Sequence, residues 1–284
     1  MIKKIFGAIG RYKLILKVNS LDISKSGIDE DNDPYVVLGD GTTFFGSHVN
    51  ANLDKHFYKL LSSKTKRTLK YESLQVAVDI VIRYVEGGLQ YGGPKKQSRY
   101  TVKKGDYVSE MGGYQGFCSV KLAQQVGSQG QVVSIEPMPD NFRLLQKNMK
   151  INNLDQVICV NRGVWDSTKE LKFNRKKGDG QSSSIEMNYN DAEIISVPAD
   201  TLDNIFSQQN TTANDFMIIQ LNGAEINGLR GLSNFKPNYL SIAARYDTEG
   251  VDAARAIKEL LEGRGYSVEI DREDFVFATL HKPL

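Results

Sequence analysis

Asp106-Tyr107-Val108-Ser109-Glu110-Met111-Gly112-Gly113-Tyr114-Gln115-Gly116, answered by Val132-Val133-Ser134-Ile135-Glu136-Pro137, is the stretch from which the fold of this chain is read. It predicts a strand, a glycine turn, a helix and a second strand that ends in a carboxylate. Glycines after a strand admit positive φ and let the backbone approach a ligand with no Cβ in the way. An acid at the tip of the next strand can accept hydrogen bonds from both hydroxyls of a ribose. From Gly116 to Glu136 the interval is 136 − 116 = 20 residues, which fits the roughly 20-residue spacing of a ribose-binding acid. The pattern therefore points to a nucleoside pocket.

Working outward, the chain from Gly105 onward alternates strand and helix, the signature of a doubly wound, Rossmann-like α/β sheet. Strands are expected near 107–111, 131–136, 156–161, 216–221 and 239–244, with helices beginning near 117, 139, 201 and 224. The helix after Pro139-Asp140 has Phe142, Leu145 and Met149 on one face, with Leu144 and Asn148 beside it. A helix from Val251 to Glu262 and two strands, Tyr266–Ile270 and Phe275–Leu280, are expected to finish the sheet with an antiparallel edge hairpin. Before Lys103 the pattern is irregular. A hairpin is expected over Tyr35–Phe45, a helix over about 51–62, and a second helix carrying Leu74, Val78, Val81, Ile82 and Val85. This predicts an N-terminal appendage over 1–99 and a nucleoside-binding domain over 100–284.

At 284 residues and 40% hydrophobic composition the chain is large enough for such a core with an appendage. A balance of 36 basic against 34 acidic residues speaks against a nucleic-acid binder that works through massed phosphate contacts. Cys118 and Cys159 are far apart and suggest neither a disulfide framework nor a zinc site. The three histidines, His48, His56 and His281, are not read as metal ligands. Met1 to Lys13 has its apolar run broken by Arg11 and Lys13, which argues against a signal peptide. A cytoplasmic chain is expected. Its first helix is read as an ordinary surface helix, with peripheral contact to a membrane as the lesser alternative.

Which nucleoside the loop holds is decided by two residues. Aligning G-x-G-x-x-G on Gly116 puts Met111 where the first dinucleotide glycine belongs, and Glu110 would repel a pyrophosphate. An NAD-dependent oxidoreductase is disfavoured. An acid before the turn suits the ammonium of an amino-acid-bearing cofactor, and S-adenosylmethionine has such an ammonium, a ribose and no phosphate.

The segments 105–117 and 135–148, followed by Asn152-Asn153-Leu154, Asn161-Arg162-Gly163-Val164 and Ile218-Ile219-Gln220-Leu221-Asn222-Gly223-Ala224-Glu225, resemble in order the FkbM family of class I S-adenosylmethionine-dependent methyltransferases. The resemblance covers roughly residues 100–250. It implies that Glu110, Gly112, Gly113, Tyr114 and Gly116 line the methionine side of the cofactor and that Glu136, with Pro137, grips the ribose. It also implies that Asn161, Arg162 and Gly163 lie near the adenine, and that the acceptor is a hydroxyl on a sugar or another small polar molecule.

The chain departs from the family where a fourth-strand Lys-Ile-Asp-Val-Glu-Gly-Ala-Glu motif is usual, having Ile218, Gln220 and Asn222 in place of Lys, Asp and Glu. Ala243 stands where the fifth strand often carries Glu. Gln220 can hydrogen-bond an acceptor but cannot take its proton. Glu225 or Asp247 is expected to orient or deprotonate it. The alternative is a methyltransferase-like binding or partner protein that keeps the pocket without efficient transfer. Tyr91-Gly92-Gly93 is read as a connector with a lid as the alternative, and Gly178–Ser184 as a loop facing the acceptor. The appendage is expected either to cap the pocket or to mediate a homodimer.

Overall fold

A computed structural model describes residues 8–49, 53–86, 100–176, 183–184, 192–244, 252–271 and 275–281. Helix α1 (Ala8–Ser20) buries Leu14, Ile15 and Val18 along one stripe. It is followed by a three-stranded antiparallel sheet of β1 (Ile23–Ile28), β2 (Pro34–Leu38) and β3 (Thr43–Phe45). β2 and β3 form the expected hairpin, with Gly41 at φ 87° in its turn. Of the helix expected over 51–62, the described residues form only α2 (Lys55–Lys59), and a separate short helix, α3 (Ser63–Thr68), follows it. The reason is local: Asp54 and Ser62 each accept from a backbone N–H three residues on, Phe57 and Thr65, so each starts a new helix. After a 3₁₀ turn at Tyr71–Ser73, α4 (Leu74–Asp79) widens over Ile80–Val85 into a π-helix, closed by Glu86 N–H donating to Val81 O at 3.0 Å.

The remaining chain builds one seven-stranded sheet. Its helices are α5 (Phe117–Val126), α6 (Pro139–Ile151), α7 (Leu202–Gln208), α8 (Glu225–Arg230) and α9 (Ala253–Glu262). Five parallel strands, β4 (Tyr107–Met111), β5 (Gln131–Ile135), β6 (Val157–Val160), β11 (Phe216–Ile219) and β12 (Tyr239–Ala243), are completed by β13 (Tyr266–Ile270) and β14 (Phe275–Leu280). The order β13-β14-β12-β11-β4-β5-β6 places antiparallel β14 between β12 and the edge strand β13. This is the Rossmann-like sheet with a closing hairpin that the alternation predicts. The inner parallel strands β11 and β12 are buried on both faces along nearly their whole length, which is why they read as short unbroken apolar runs, while the edge strand β6 is half-buried.

The sequence did not announce the second sheet, β7-β10-β8-β9, inserted between β6 and β11 and made of β7 (Gly163–Val164), β8 (Lys169–Lys176), β9 (Ser183–Ser184) and β10 (Ala192–Asp200). Of the segment 178–184, only Ser183 and Ser184 lie among the described residues. No helix of the described residues is long and apolar enough to cross a membrane.

The N-terminal elements do not keep a core to themselves. Phe44, Phe57, Leu74, Val76 and Ile80 pack in one cluster with Tyr114, Phe117 and Val120 of the glycine loop and α5, and with Leu145 and Met149 of α6. Phe44 and Phe117 stack with centroids 5.2 Å apart and planes 7° from parallel.

Candidate functional site

The site lies at the C-terminal ends of the parallel strands where the sheet order reverses, between β4, β5 and β11, the usual ligand crevice of an open α/β sheet. β4 ends in Met111, whose carbonyl accepts from Gln220 N–H at 3.0 Å, so the glycine turn and the tip of β11 are fastened together. Gly112 has φ 90°, and a Cβ there would come 2.2 Å from the Gln220 carbonyl oxygen. No other residue fits both demands. The Gly112 and Gly113 amides both donate to Ile135 O at 2.9 Å, which folds the turn back over the end of β5.

Glu136 follows immediately. It is 5% exposed and accepts from Tyr114 N–H at 2.8 Å, Met138 N–H at 3.0 Å and, more weakly, Asn141 Nδ2 at 3.4 Å. Burial pushes its pKa up to about 7, against the pull of those hydrogen bonds, with the nearby Glu110 charge adding to the rise. Asn161 donates to the Glu136 and Pro137 carbonyls at 2.8 and 3.0 Å, holding the exit of β5 against the end of β6. Arg162 is exposed and bonds only its neighbour's carbonyl, Asn161 O, among the contacts seen.

The structure places the other expected site residues as follows. Glu110, expected to meet an ammonium, has no exposed surface, and its Oε2 accepts from Ser119 Oγ at 2.6 Å, inside a buried chain that continues to Ser134. Its carboxylate ties α5 to β4. Gly163, expected beside an adenine, is buried in β7 opposite Ala199. Glu225, expected to act on an acceptor, is 1% exposed, and its two oxygens accept from Leu221 N–H at 2.8 Å and Gly223 N–H at 2.9 Å. That carboxylate shapes the loop after β11, where Asn222 and Gly223 both have positive φ. Burial raises its pKa. Asp247, like Tyr91-Gly92-Gly93, lies outside the described residues.

Gln220 is placed differently. Its Oε1 is buried and accepts no hydrogen bond from the described residues. A buried amide oxygen without a donor costs roughly 1–3 kcal/mol, so a donor on a bound molecule would relieve this atom. Glu136 follows the tip of β5 and Gln220 the tip of β11, on either side of β4 and its glycine turn, and both carry acceptor oxygens. These two acceptors suit a ligand that brings hydroxyl and N–H donors, as a nucleoside with an ammonium does.

Sequence reasoning missed what surrounds the loop. Gln115 is fully buried; its Oε1 accepts from Ser47 N–H at 3.1 Å and its Nε2 donates to Asn141 Oδ1 at 3.2 Å and to Ser47 Oγ. Along α6, Lys147 Nζ donates to Asp29, Asp31 and Asp33 at 2.5, 2.7 and 2.7 Å, and Arg143 grips Asp33 in a bidentate pair at 2.6 Å. The three aspartates resemble a cation cluster, and the cation is Lys147.

Residues 110–268 match the family model described as Methyltransferase FkbM domain. "Methyltransferase 1" of Beauveria bassiana is 23% identical over 190 residues, covering 60% of this chain and 75% of that protein. Among solved structures, a precorrin-6y C5,15-methyltransferase from Geobacter metallireducens aligns with 63% of this chain and 82% of its own at 12% identity and TM-score 0.40. Fibrillarin from Aeropyrum pernix aligns with 91% of this chain and 98% of its own at 13% identity and TM-score 0.39. With TM-scores this low, the fold assignment rests on the strand order and the family match.

Proposed function

Because the chain belongs to the FkbM methyltransferase family, we propose that it moves a methyl group from S-adenosylmethionine to a hydroxyl oxygen of a sugar or another small polar acceptor. The observation that carries this reading is the buried Oε1 of Gln220, which has no donor among the described residues and stands on a strand tip whose backbone is fastened to the glycine turn, with Glu136 at the tip of β5 on the other side of β4. When bound, S-adenosylmethionine supplies a methyl group already activated on a sulfonium. The chain's task is then mostly positioning, since alignment of two reactants can supply much of the acceleration.

Glu136 holds the ribose hydroxyls, and Pro137 and Asn161 set the wall beside it. Gly112 and Gly113 line the methionine end with backbone alone. Gln220 receives a hydrogen bond from the ammonium or the acceptor hydroxyl and fixes its direction without removing a proton. Glu225 keeps the loop that carries Gln220 in shape. Asp247 is the remaining candidate base. For the N-terminal segment, capping of the pocket is favoured over dimerisation by the Ser47–Gln115 and Phe44–Phe117 contacts.

Titration calorimetry with S-adenosylhomocysteine and with NAD tests the cofactor. Binding of the sulfur nucleoside alone is expected, and failure to bind it sinks the proposal. Transfer of labelled methyl to a panel of glycans and hydroxylated small molecules tests the acceptor. A second reading, a binding protein with little transfer, is favoured by the neutral Ile218, Gln220 and Asn222 and by the inward turn of Glu225. Tight cofactor binding with no labelled product from any acceptor would support it.

A further inference from the structure

The glycine loop contains two large side chains, Tyr114 and Gln115, and both are buried in the N-terminal segment. Tyr114 is the more telling. Its backbone has φ 51°, the left-handed region that a tyrosine enters only when its surroundings hold it there. Its N–H is the donor to Glu136 Oε2 at 2.8 Å. Its ring lies under the Arg83 guanidinium, with Cζ 4.4 Å from the ring centroid.

Arg83 belongs to the π-helical turn and Asp79 to the turn before it. Asp79 is 2% exposed, its Oδ1 is 3.5 Å from Arg83 Nε, its Oδ2 accepts from Gln75 Nε2 at 3.1 Å, and Tyr114 also hydrogen-bonds it. One buried carboxylate thus gathers an amide, a guanidinium and the loop tyrosine. π-Helical turns commonly mark sites where a side chain must be re-aimed for function. Here the wider turn carries Arg83, the residue that covers Tyr114.

We infer that Asp79 and Arg83 are positioning residues for the nucleoside pocket, clamping Tyr114 so that its backbone N–H stays on the ribose-binding carboxylate Glu136. They act through Tyr114, and neither is assigned a contact with substrate. The inference deepens the proposed cofactor site and rests on Glu136 being its ribose acid. In this arrangement the N-terminal segment sets the hydrogen bonding of Glu136 through a residue 22 positions before it in the chain. The other groups on Glu136 are Met138 N–H, Asn141 and the charge of Glu110, all from the sheet domain, so they stay in place when the clamp is removed.

The test uses the full chain with Arg83→Met, which removes the charge but keeps an apolar cover, and Tyr114→Phe, which keeps the ring but removes its hydroxyl. Carbon-detected NMR titration follows the Glu136 carboxyl without any cofactor, and calorimetry measures S-adenosylhomocysteine affinity. Losing a well-held N–H donor should raise the Glu136 midpoint by about 1 pH unit and weaken the nucleoside about tenfold. Thermal unfolding is recorded in parallel, because a merely structural role lowers the melting temperature and leaves the Glu136 midpoint where it was. That result in both variants overturns the inference. If Arg83→Met does not fold, an unshifted midpoint in Tyr114→Phe overturns it alone. If wild-type protein does not bind S-adenosylhomocysteine, the cofactor reading fails, and the Glu136 titration still decides whether the clamp exists.

Discussion

The side-chain amide of Asn148 pairs with both backbone polar atoms of Phe45, accepting from its N–H at 2.7 Å and donating to its carbonyl at 2.9 Å. One helical turn on, Asn152 does the same to Thr43, at 2.9 and 2.7 Å. Four helical residues rise about 6 Å and two strand residues about 6.8 Å, so the amides of Asn148 in α6 and of Asn152, its C-cap, match alternate residues of β3. The helix thus completes the edge of the N-terminal sheet as a further strand would. Asn148→Ala leaves the Phe45 N–H and carbonyl buried without partners and frees Gln115 O, which Asn148 also holds at 2.7 Å. A loss of roughly 2–4 kcal/mol is expected in urea unfolding.

Lys147 and Arg143 charge the same interface. Burial would raise Asp29 and Asp33, but their hydrogen bonds and the positive charges beside them outweigh it and leave both below the usual aspartate value. Groups depressed when folded contribute stability above their unfolded pKa, near 3.8, and lose it as pH falls through the lower folded values. Lys147→Met leaves three carboxylates facing one another. It should cost about 2 kcal/mol at pH 7 and flatten the loss of stability below pH 4. Urea midpoints of both proteins between pH 3 and 7 check this.

Glu136 runs the other way. A pKa raised to about 7 means that its protonated form stabilises the fold below the unfolded value of 4.5, and that this contribution is lost as pH rises through about 7. Glu136→Gln removes this pH dependence but leaves one oxygen for the two N–H groups of Tyr114 and Met138, so without ligand its urea midpoint is expected to stay flat between pH 6 and 8 while that of wild type falls. The same change should abolish measurable S-adenosylhomocysteine binding. In wild type, affinity should fall as pH drops through 7, and calorimetry across pH 6 to 8 reads it.

Gly112→Ala puts a methyl group 2.2 Å from the Gln220 carbonyl in a backbone region closed to alanine. The strands must part there. At least a hundredfold loss of nucleoside affinity is expected, with destabilisation of about 3 kcal/mol, measured by calorimetry and urea unfolding.

How much of this was legible in the sequence differs by element. The seven-stranded sheet was readable because each parallel strand is a short apolar run, and the glycine turn and Glu136 because local backbone geometry limits which residues can stand there. β8 escaped notice because Lys169–Lys176 is mostly charged and buries only Leu171 and Phe173 among its described positions, too little for a strand signal. The helix expected over 51–62 is shorter than read, because Asp54 caps a helix that starts at Lys55 and Ser62 caps the next one, a local effect that apolar spacing does not register. Glu110, Glu225 and Tyr114 were read as ligand contacts since their positions suit one. What occupies their polar atoms comes from residues 9, 4 and 35 positions away, and the last of these distances is set by tertiary packing alone.

The shared apolar cluster has a consequence for where this protein can be cut. The family match begins at residue 110, yet Phe117, Val120, Leu145 and Met149 are covered by side chains from before residue 86. A fragment trimmed to the matched segment would show those four residues to water as one sticky face, and would do so beside the pocket. The portion recognisable by descent is thus smaller than the portion that shares this core, and a shortened version that keeps the cluster covered retains the first helices and the β1–β3 sheet.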